Sequence, residues 1–189
     1  MHRVTFSCTC GSVAGQIRVA SPAAGNHVVC HCPDCRTAEL ALGQPDPDPD
    51  GVAIWQTMPD CVQIEQGADR LAILRLSPKG LYRWHATCCG APMFNTLRHP
   101  RLAFAGISAA RLSDTTPLGP VTCHAFMAKP GGGYRHTGFN RAGLRILRMM
   151  LRANLSGTWR ATPFFDAQGQ PRADIRVLSR AERTALRQP

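Results

Sequence analysis

At 189 residues and 20.5 kDa, with 44% of its residues hydrophobic, the chain has the ordinary make-up of a soluble globular protein and room for one core with a small appendage. Twenty-two Lys and Arg against twelve Asp and Glu give a formal charge of +10, which favours an anionic substrate or partner. The aromatic residues are scattered rather than interleaved with basic ones, so a base-stacking nucleic-acid surface is not expected, and no apolar run has the form of a signal peptide or membrane span.

From the N-terminus, Val4 and Phe6, then Val13, Gly15, Ile17 and Val19, alternate with polar or small residues as half-buried strands do. Cys10-Gly11 is the turn between them, giving a knuckle-like hairpin with Cys8 and Cys10 at its tip. His27-Val28-Val29 reads as a short strand entering Cys30-His31-Cys32-Pro33-Asp34-Cys35, and a brief helix is expected from Arg36 to Leu42. A helix starting there would place its positive dipole end beside Cys35 and favour a thiolate. The alternating Pro and Asp residues from 44 to 50 form a loop, because proline lacks a donor and biases its predecessor away from helix.

Strand patterns follow at Val52 to Trp55, Val62 to Ile64, Leu71 to Leu76 and Leu81 to Trp84, a meander feeding the Cys88-Cys89 pair. Past Gly131-Gly132-Gly133, Arg141 to Leu155 reads as a helix with Leu144, Leu147, Met150 and Leu151 on its apolar side. Arg141, Arg145, Arg148 and Arg152 form a second stripe on the opposite side. Phe164-Phe165 and Ile175 to Val177 suggest a terminal hairpin turned at Asp166 to Gly169, and Ser179 with Glu182 has capping-box spacing for a last short helix. The expectation is a mainly β domain over 1–110, with a partly helical extension over 111–189 packed on it.

Chemistry concentrates in seven of the nine cysteines: Cys8 and Cys10, then Cys30, Cys32 and Cys35, then Cys88 and Cys89. Thiolate is a soft donor suited to Zn²⁺, which takes four ligands when structural and three plus an open position when catalytic. The first and last clusters are each too small to close a site, so they are expected to pair across the fold. The middle cluster supplies three sulfurs by itself, which implies one closed and one open zinc, one or two ions per chain. Disulfides would require an oxidising compartment, whereas a reduced, cytoplasmic setting is expected. Cys61 and Cys123 are read as small buried hydrophobes.

Cys8-Thr9-Cys10-Gly11, Cys30-His31-Cys32-Pro33-Asp34-Cys35-Arg36 and Cys89-Gly90-Ala91-Pro92, with Ile73 to Gly80 between, resemble the glutathione-dependent formaldehyde-activating enzyme family, which includes centromere-protein-V-like members. The match spans roughly residues 4 to 105. The resemblance implies coiled β-sheets built around zinc-binding loops, with Cys8, Cys10 and Cys89 as structural ligands and Cys30, Cys32 and Cys35 as the active-site trio.

One position departs from the family pattern, since its C-x-x-C-G begins here with Ala86. The fourth structural ligand is then Cys88, His85, Cys123 or none. Alternatively Cys88 turns to the trio and closes it, although neighbours in extended backbone point to opposite faces.

The activity implied is a carbon–sulfur lyase reaction joining glutathione to formaldehyde, or a related step on another thiol adduct. Glutathione carries two carboxylates, for which Arg36, Lys79 and Arg83 are the expected partners. His31, between two ligands, is a candidate for proton transfer, and Asp34 reads as a loop residue supporting the trio. No serine triad or carboxylate pair competes with this reading. The alternative is a non-catalytic, zinc-stabilised module whose basic helix contacts an acidic partner.

Overall fold

In the computed structural model, which describes residues 1–187, β1 (His2–Ser7) and β2 (Ala14–Val19) pair antiparallel. The period of two sends Val4, Phe6, Val13, Ile17 and Val19 to one buried face. Gly15 is required in β2, because a Cβ there would stand 2.1 Å from the Gln63 carbonyl oxygen and 2.6 Å from the Phe6 ring.

β3 (Asn26–Cys30) leads into α1 (Pro33–Ala41), and the proline-rich loop leads to β4 (Val52–Thr57). The meander then runs through β5 (Val62–Gln66), β6 (Leu71–Arg75), β7 (Tyr82–Ala86), β8 (Pro92–Thr96) and β9 (Ala105–Ser108). Beyond it lie β10 (Cys123–Ala128), β11 (Tyr134–Thr137), α2 (Phe139–Ser156), β12 (Ile175–Val177) and α3 (Arg180–Ala185).

The fold is mainly β. One sheet has the order β1-β2-β5 and the other, of nine strands, the order β11-β10-β3-β4-β9-β8-β7-β6-β12. Pairing in the larger sheet is antiparallel except at β10–β3 and β12–β6, so strands from beyond residue 111 form both its edges.

The main core lies where the two sheets meet. Phe6 packs edge-on against Phe94 with ring centres 5.1 Å apart, and Phe164 fills the space between Phe94 and Trp84 at 5.2 and 5.1 Å. Each such ring contributes roughly 1.5–3 kcal/mol by leaving water. Trp84 Nε1 donates to Thr96 Oγ1 at 3.0 Å, which satisfies the one polar atom of the indole. A smaller cluster of Ala38, Leu74, Leu76 and Leu178 fastens α1 and the C-terminal segment to β6.

Three sequence expectations are corrected here. Helix α1 begins at Pro33 rather than Arg36, since proline fits a helix's first position, where no N–H bond is needed. The terminal hairpin does not form. Asp166 to Gly169 does turn, but only Phe165 and Pro171 bridge, and Ile175 to Val177 instead pairs parallel with Ile73 to Arg75. Finally, α2 packs through Ala142, Ile146, Met149, Met150 and Ala153, which leaves Leu144, Leu147 and Leu151 exposed. Alanine lets the helix approach its neighbours closely where leucine would hold it off. The capping box at Ser179 and Glu182 is present, with Ser179 Oγ accepting from Glu182 N and Glu182 Oε2 accepting from Ser179 N.

Candidate functional site

The β1–β2 turn is tied by Cys8 N–H to Val13 O at 2.9 Å and Gly11 N–H to Cys8 O at 3.0 Å, and Val13 N–H also points at Cys8 Sγ, 3.2 Å away. β7 ends at Ala86, so Cys88 and Cys89 lie in a turn and not in extended backbone. Ala86 N–H bonds Ala91 O, and Gly90 N–H bonds Ala86 O. Gly90 has φ +69°, and a Cβ on it would sit 2.3 Å from Leu42 O, so only glycine lets this turn close against the end of α1.

The two turns bring four sulfurs together. Cys8, Cys10, Cys88 and Cys89 lie with all Sγ atoms within 4.8 Å of one another, at 3.6 Å for Cys8–Cys10, 3.8 Å for Cys8–Cys88, 3.2 Å for Cys10–Cys88 and 4.0 Å for Cys88–Cys89. Tetrahedral zinc with Zn–S bonds of about 2.3 Å places its sulfurs about 3.8 Å apart, so the set suits one thiolate-bound ion. None of the nine cysteines is in a disulfide. Hydrogen bonding to Ser12 holds the Cys10 thiol down to about 6, while hydrogen bonding to Cys10 pushes Cys88 up to about 12. Cys88 thus groups with Cys8, Cys10 and Cys89 and not with the trio. His85 points elsewhere, its Nδ1 buried without a partner, and Cys123 packs with Val28, Ala125 and Ala142.

The second cluster stands where β3 meets α1. Cys30 ends β3, flanked by Val52 and Ala125, and His31 N–H bonds Ala125 O at 2.8 Å. Cys32 caps α1, its Sγ accepting from Cys35 N–H at 3.3 Å, and Cys35 lies buried in the first helical turn. The three sulfurs lie within 4.8 Å of one another, and among the described residues no fourth Cys, His, Asp or Glu atom joins them.

Sulfur contacts from Cys30 and Cys35, with the Cys35 N–H and the Arg83 charge, hold the Cys32 thiol far below its ordinary value. Cys30 is raised by its contacts with Cys32 and Cys35. Cys35 is drawn down by Cys30 but lifted by Cys32 and by burial, and stands at about 11. Three sulfurs this close cannot all ionise alone, because each thiolate repels the next. A dication among them would remove that repulsion and the remaining protons.

Arg83 is buried in β7, with Nη1 4.0 Å from Cys35 Sγ. Arg36 lies in the first half of α1 and is held by Asp46, Nε donating to Oδ1 at 2.8 Å and Nη2 to Oδ2 at 2.5 Å. Lys79 lies on the exposed turn between β6 and β7 and lines neither pocket beside the trio. His31 places Nδ1 3.2 Å from Pro49 O and Nε2 3.5 Å from His124 Nδ1. Asp34 pairs with Arg187, which also donates to Thr37 Oγ1 at 3.3 Å.

Two pockets open on Cys30 and Cys32. The first is a cleft of about 490 Å³ bordered by His31, Arg36, Asp48, Tyr134 and Arg187. The second is a chamber of about 400 Å³ under α2, bordered by Val28, Phe104, Phe126, Phe139 and Ile146, with Asp34, Cys35, Arg83 and Asn95 also on its lining. Sequence reasoning missed Arg187, Phe126 and the α2 residues. Phe126 carried no signal, although its backbone is unusual: it sits at a bulge of β10 with φ +61°, the one non-glycine positive φ in the described chain. Its N–H donates to His136 Nδ1 at 3.0 Å, and its ring meets those of Tyr134, His136 and Phe139.

Residues 1–176 match a family described as a family of unknown function (DUF6151). No curated protein matches the chain. Among solved structures, the crystal structure of a Rhodobacter sphaeroides protein, a structural-genomics target, is similar at 20% identity, with 62% of this chain and 96% of that chain covered and a TM-score of 0.43.

Proposed function

The chain belongs to the DUF6151 family, and from that premise we propose that its Cys30-Cys32-Cys35 trio is a zinc-dependent centre for making or breaking a carbon–sulfur bond in a thiol adduct of an aldehyde. The observation that carries the reading is a set of three convergent sulfurs, joined by no fourth protein ligand among the described residues, with two pockets opening on it. An all-sulfur donor set selects a soft or borderline ion, and zinc is the common one that brings no redox chemistry. Bound there, zinc would supply Lewis acidity and lower the pKa of a thiol.

The reaction is an addition without oxidation or reduction. The sulfur lone pair forms a bond to the carbonyl carbon, the C=O π pair moves to oxygen, and the proton given up by the thiol ends on that oxygen. The reverse step releases thiol and aldehyde. Arg83 would balance the excess negative charge of three thiolates around a dication. Arg36 and Arg187 border the cleft, where the carboxylates of a thiol such as glutathione would share these guanidinium groups with Asp46 and Asp34. His31 lies on the same cleft, where it could exchange the proton. The motif resemblance to glutathione-dependent formaldehyde-activating enzymes supports the same chemistry. The test is metal analysis with a thiol and aldehyde turnover assay. Zinc and turnover lost together in Cys32→Ser support the proposal, whereas turnover that survives this change contradicts it.

A second reading rests on a different surface. Leu144, Leu147, Leu151 and Leu155 are 47%, 63%, 59% and 80% exposed, beside exposed Arg141, Arg148 and Arg152. Helix α2 carries four arginines and no acid, so pairing with its own copy would oppose like charges. An anionic lipid surface fits both stripes, with leucines at the acyl boundary and guanidinium groups on phosphates. No described helix is long and apolar enough to cross a membrane.

A further inference from the structure

The two pockets beside the trio differ in character, and the difference bears on the substrate. The cleft mixes apolar residues such as Phe126 and Tyr134 with the charged or polar side chains of Arg36, Arg187, His31 and Asp48, whereas the chamber is walled mainly by apolar residues, among them Phe104, Phe126, Phe139 and Ile146, with Asp34 and Arg83 also on its lining. Cys30 and Cys32 line both. A ligand whose sulfur sits at the trio can therefore extend one way into a cleft that offers two guanidinium groups and the other way into a mainly apolar chamber.

We propose that the substrate is a two-ended thiol adduct, whose anionic thiol portion lies in the cleft and whose carbonyl-derived carbon carries an aromatic or branched aliphatic group held in the chamber under α2. The assignment rests on the carbon–sulfur reading above and specifies its carbonyl: a larger apolar aldehyde in place of formaldehyde. The chamber holds about 400 Å³, within the range of small-molecule sites, whereas a one-carbon carbonyl needs little more than the roughly 30 Å³ of a water molecule.

The helix over the chamber is held in place. Asn26 Nδ2 donates to Ala142 O at 3.1 Å, Arg145 Nη1 to Gly25 O at 2.7 Å and Asn154 Nδ2 to Arg101 O at 2.8 Å, so α2 is anchored near its start, middle and end. Gly138 caps the helix at φ +67°, where a Cβ would stand 2.1 Å from Thr122 O. Phe126 keeps a disfavoured backbone at the boundary of the two pockets.

Gly143 adds to this space. It lies inside α2, is exposed and lines the chamber, and a Cβ built on it meets nothing within 4 Å. Glycine is disfavoured inside a helix relative to alanine, so its presence here keeps space open that any side chain would begin to fill.

The test compares S-methylglutathione with S-benzylglutathione by calorimetry on the zinc-loaded protein, since the two share one anionic body and differ only in the apolar group. S-benzylglutathione should bind at least about tenfold tighter, and Gly143→Phe, checked for an unchanged melting transition, should abolish the difference. Equal affinities, no binding of either compound, or a preference untouched by Gly143→Phe would overturn the assignment. Turnover of the formaldehyde and benzaldehyde adducts of glutathione separates the two claims. A benzyl preference with no turnover of either adduct removes the reaction and keeps the chamber. Turnover of the formaldehyde adduct without a benzyl preference removes the chamber and keeps the reaction.

Discussion

Arg83 Nη1 stands 4.0 Å from Cys35 Sγ, and both side chains are buried. A guanidinium is removed from water only where negative charge repays its desolvation. The nearest source is the sulfur trio, which around a dication would carry one net negative charge. Arg83→Met should weaken metal binding at the trio by about 10–100-fold, the usual effect of removing a group that supports metal ligands. Arg83→Lys should recover part of that loss. Competition with a chromophoric chelator measures both, and unchanged affinity in Arg83→Met would remove the charge-balancing role.

Cys88 completes the four-sulfur cluster, so Cys88→Ser should lower the metal content from about two ions per chain to about one and reduce the melting temperature, since binding energy at a structural zinc is folding energy. Cys123→Ser and His85→Gln should leave the count unchanged. Metal analysis of the three purified variants decides the matter, and loss of an ion with His85→Gln would reassign the fourth ligand.

The sequence carried the local half of this arrangement. Alternation at Val4, Phe6, Ile17 and Val19 is enforced by the strand's period, and the Cys-x-Cys and Cys-x-Cys-x-x-Cys spacings lie within single turns. The meeting of Cys88 with Cys8 and Cys10 depended on whether residues 87–90 turn or extend, and the close approach of Gly90 to Leu42 O that accompanies the turn is distant in sequence. The chamber was illegible for a similar reason. The apolar signal of α2 points along its leucines, yet contact with the rest of the fold is made by Ala142 and Ala153, and β12 found its parallel partner β6 about a hundred residues away.

Glu39 supplies a pH signature. Burial raises its carboxyl above the ordinary range, while the Arg111 and Arg83 charges act in the opposite direction. In the unfolded chain it titrates near its reference value of about 4.3. Above the folded value it is ionised in both states and the burial penalty is fully present. Between the two values only the folded state holds the proton, so this residue's contribution to stability improves as pH falls through that window. Glu39→Gln should therefore be more stable than the parent at neutral pH, with the advantage shrinking as pH falls toward the unfolded value. Urea unfolding at stepped pH measures it, and a difference that does not vary with pH would contradict the assignment.

The α2 surface makes a separate prediction. Sedimentation with vesicles rich in phosphatidylserine should capture the protein and decline with added salt, and vesicles of phosphatidylcholine alone should not. Leu147→Ser with Leu151→Ser, both at exposed positions, should abolish capture with little change in stability. Binding that ignores both leucines and salt would contradict the lipid reading.

The most direct measurement is zinc K-edge X-ray absorption on the Cys88→Ser protein, in which the trio would hold the remaining ion. The account predicts three sulfur neighbours with one lighter ligand in the free protein, becoming four sulfurs when glutathione is added. Four sulfurs before any thiol is added, no zinc retained at all, or a spectrum that glutathione leaves unchanged would contradict it.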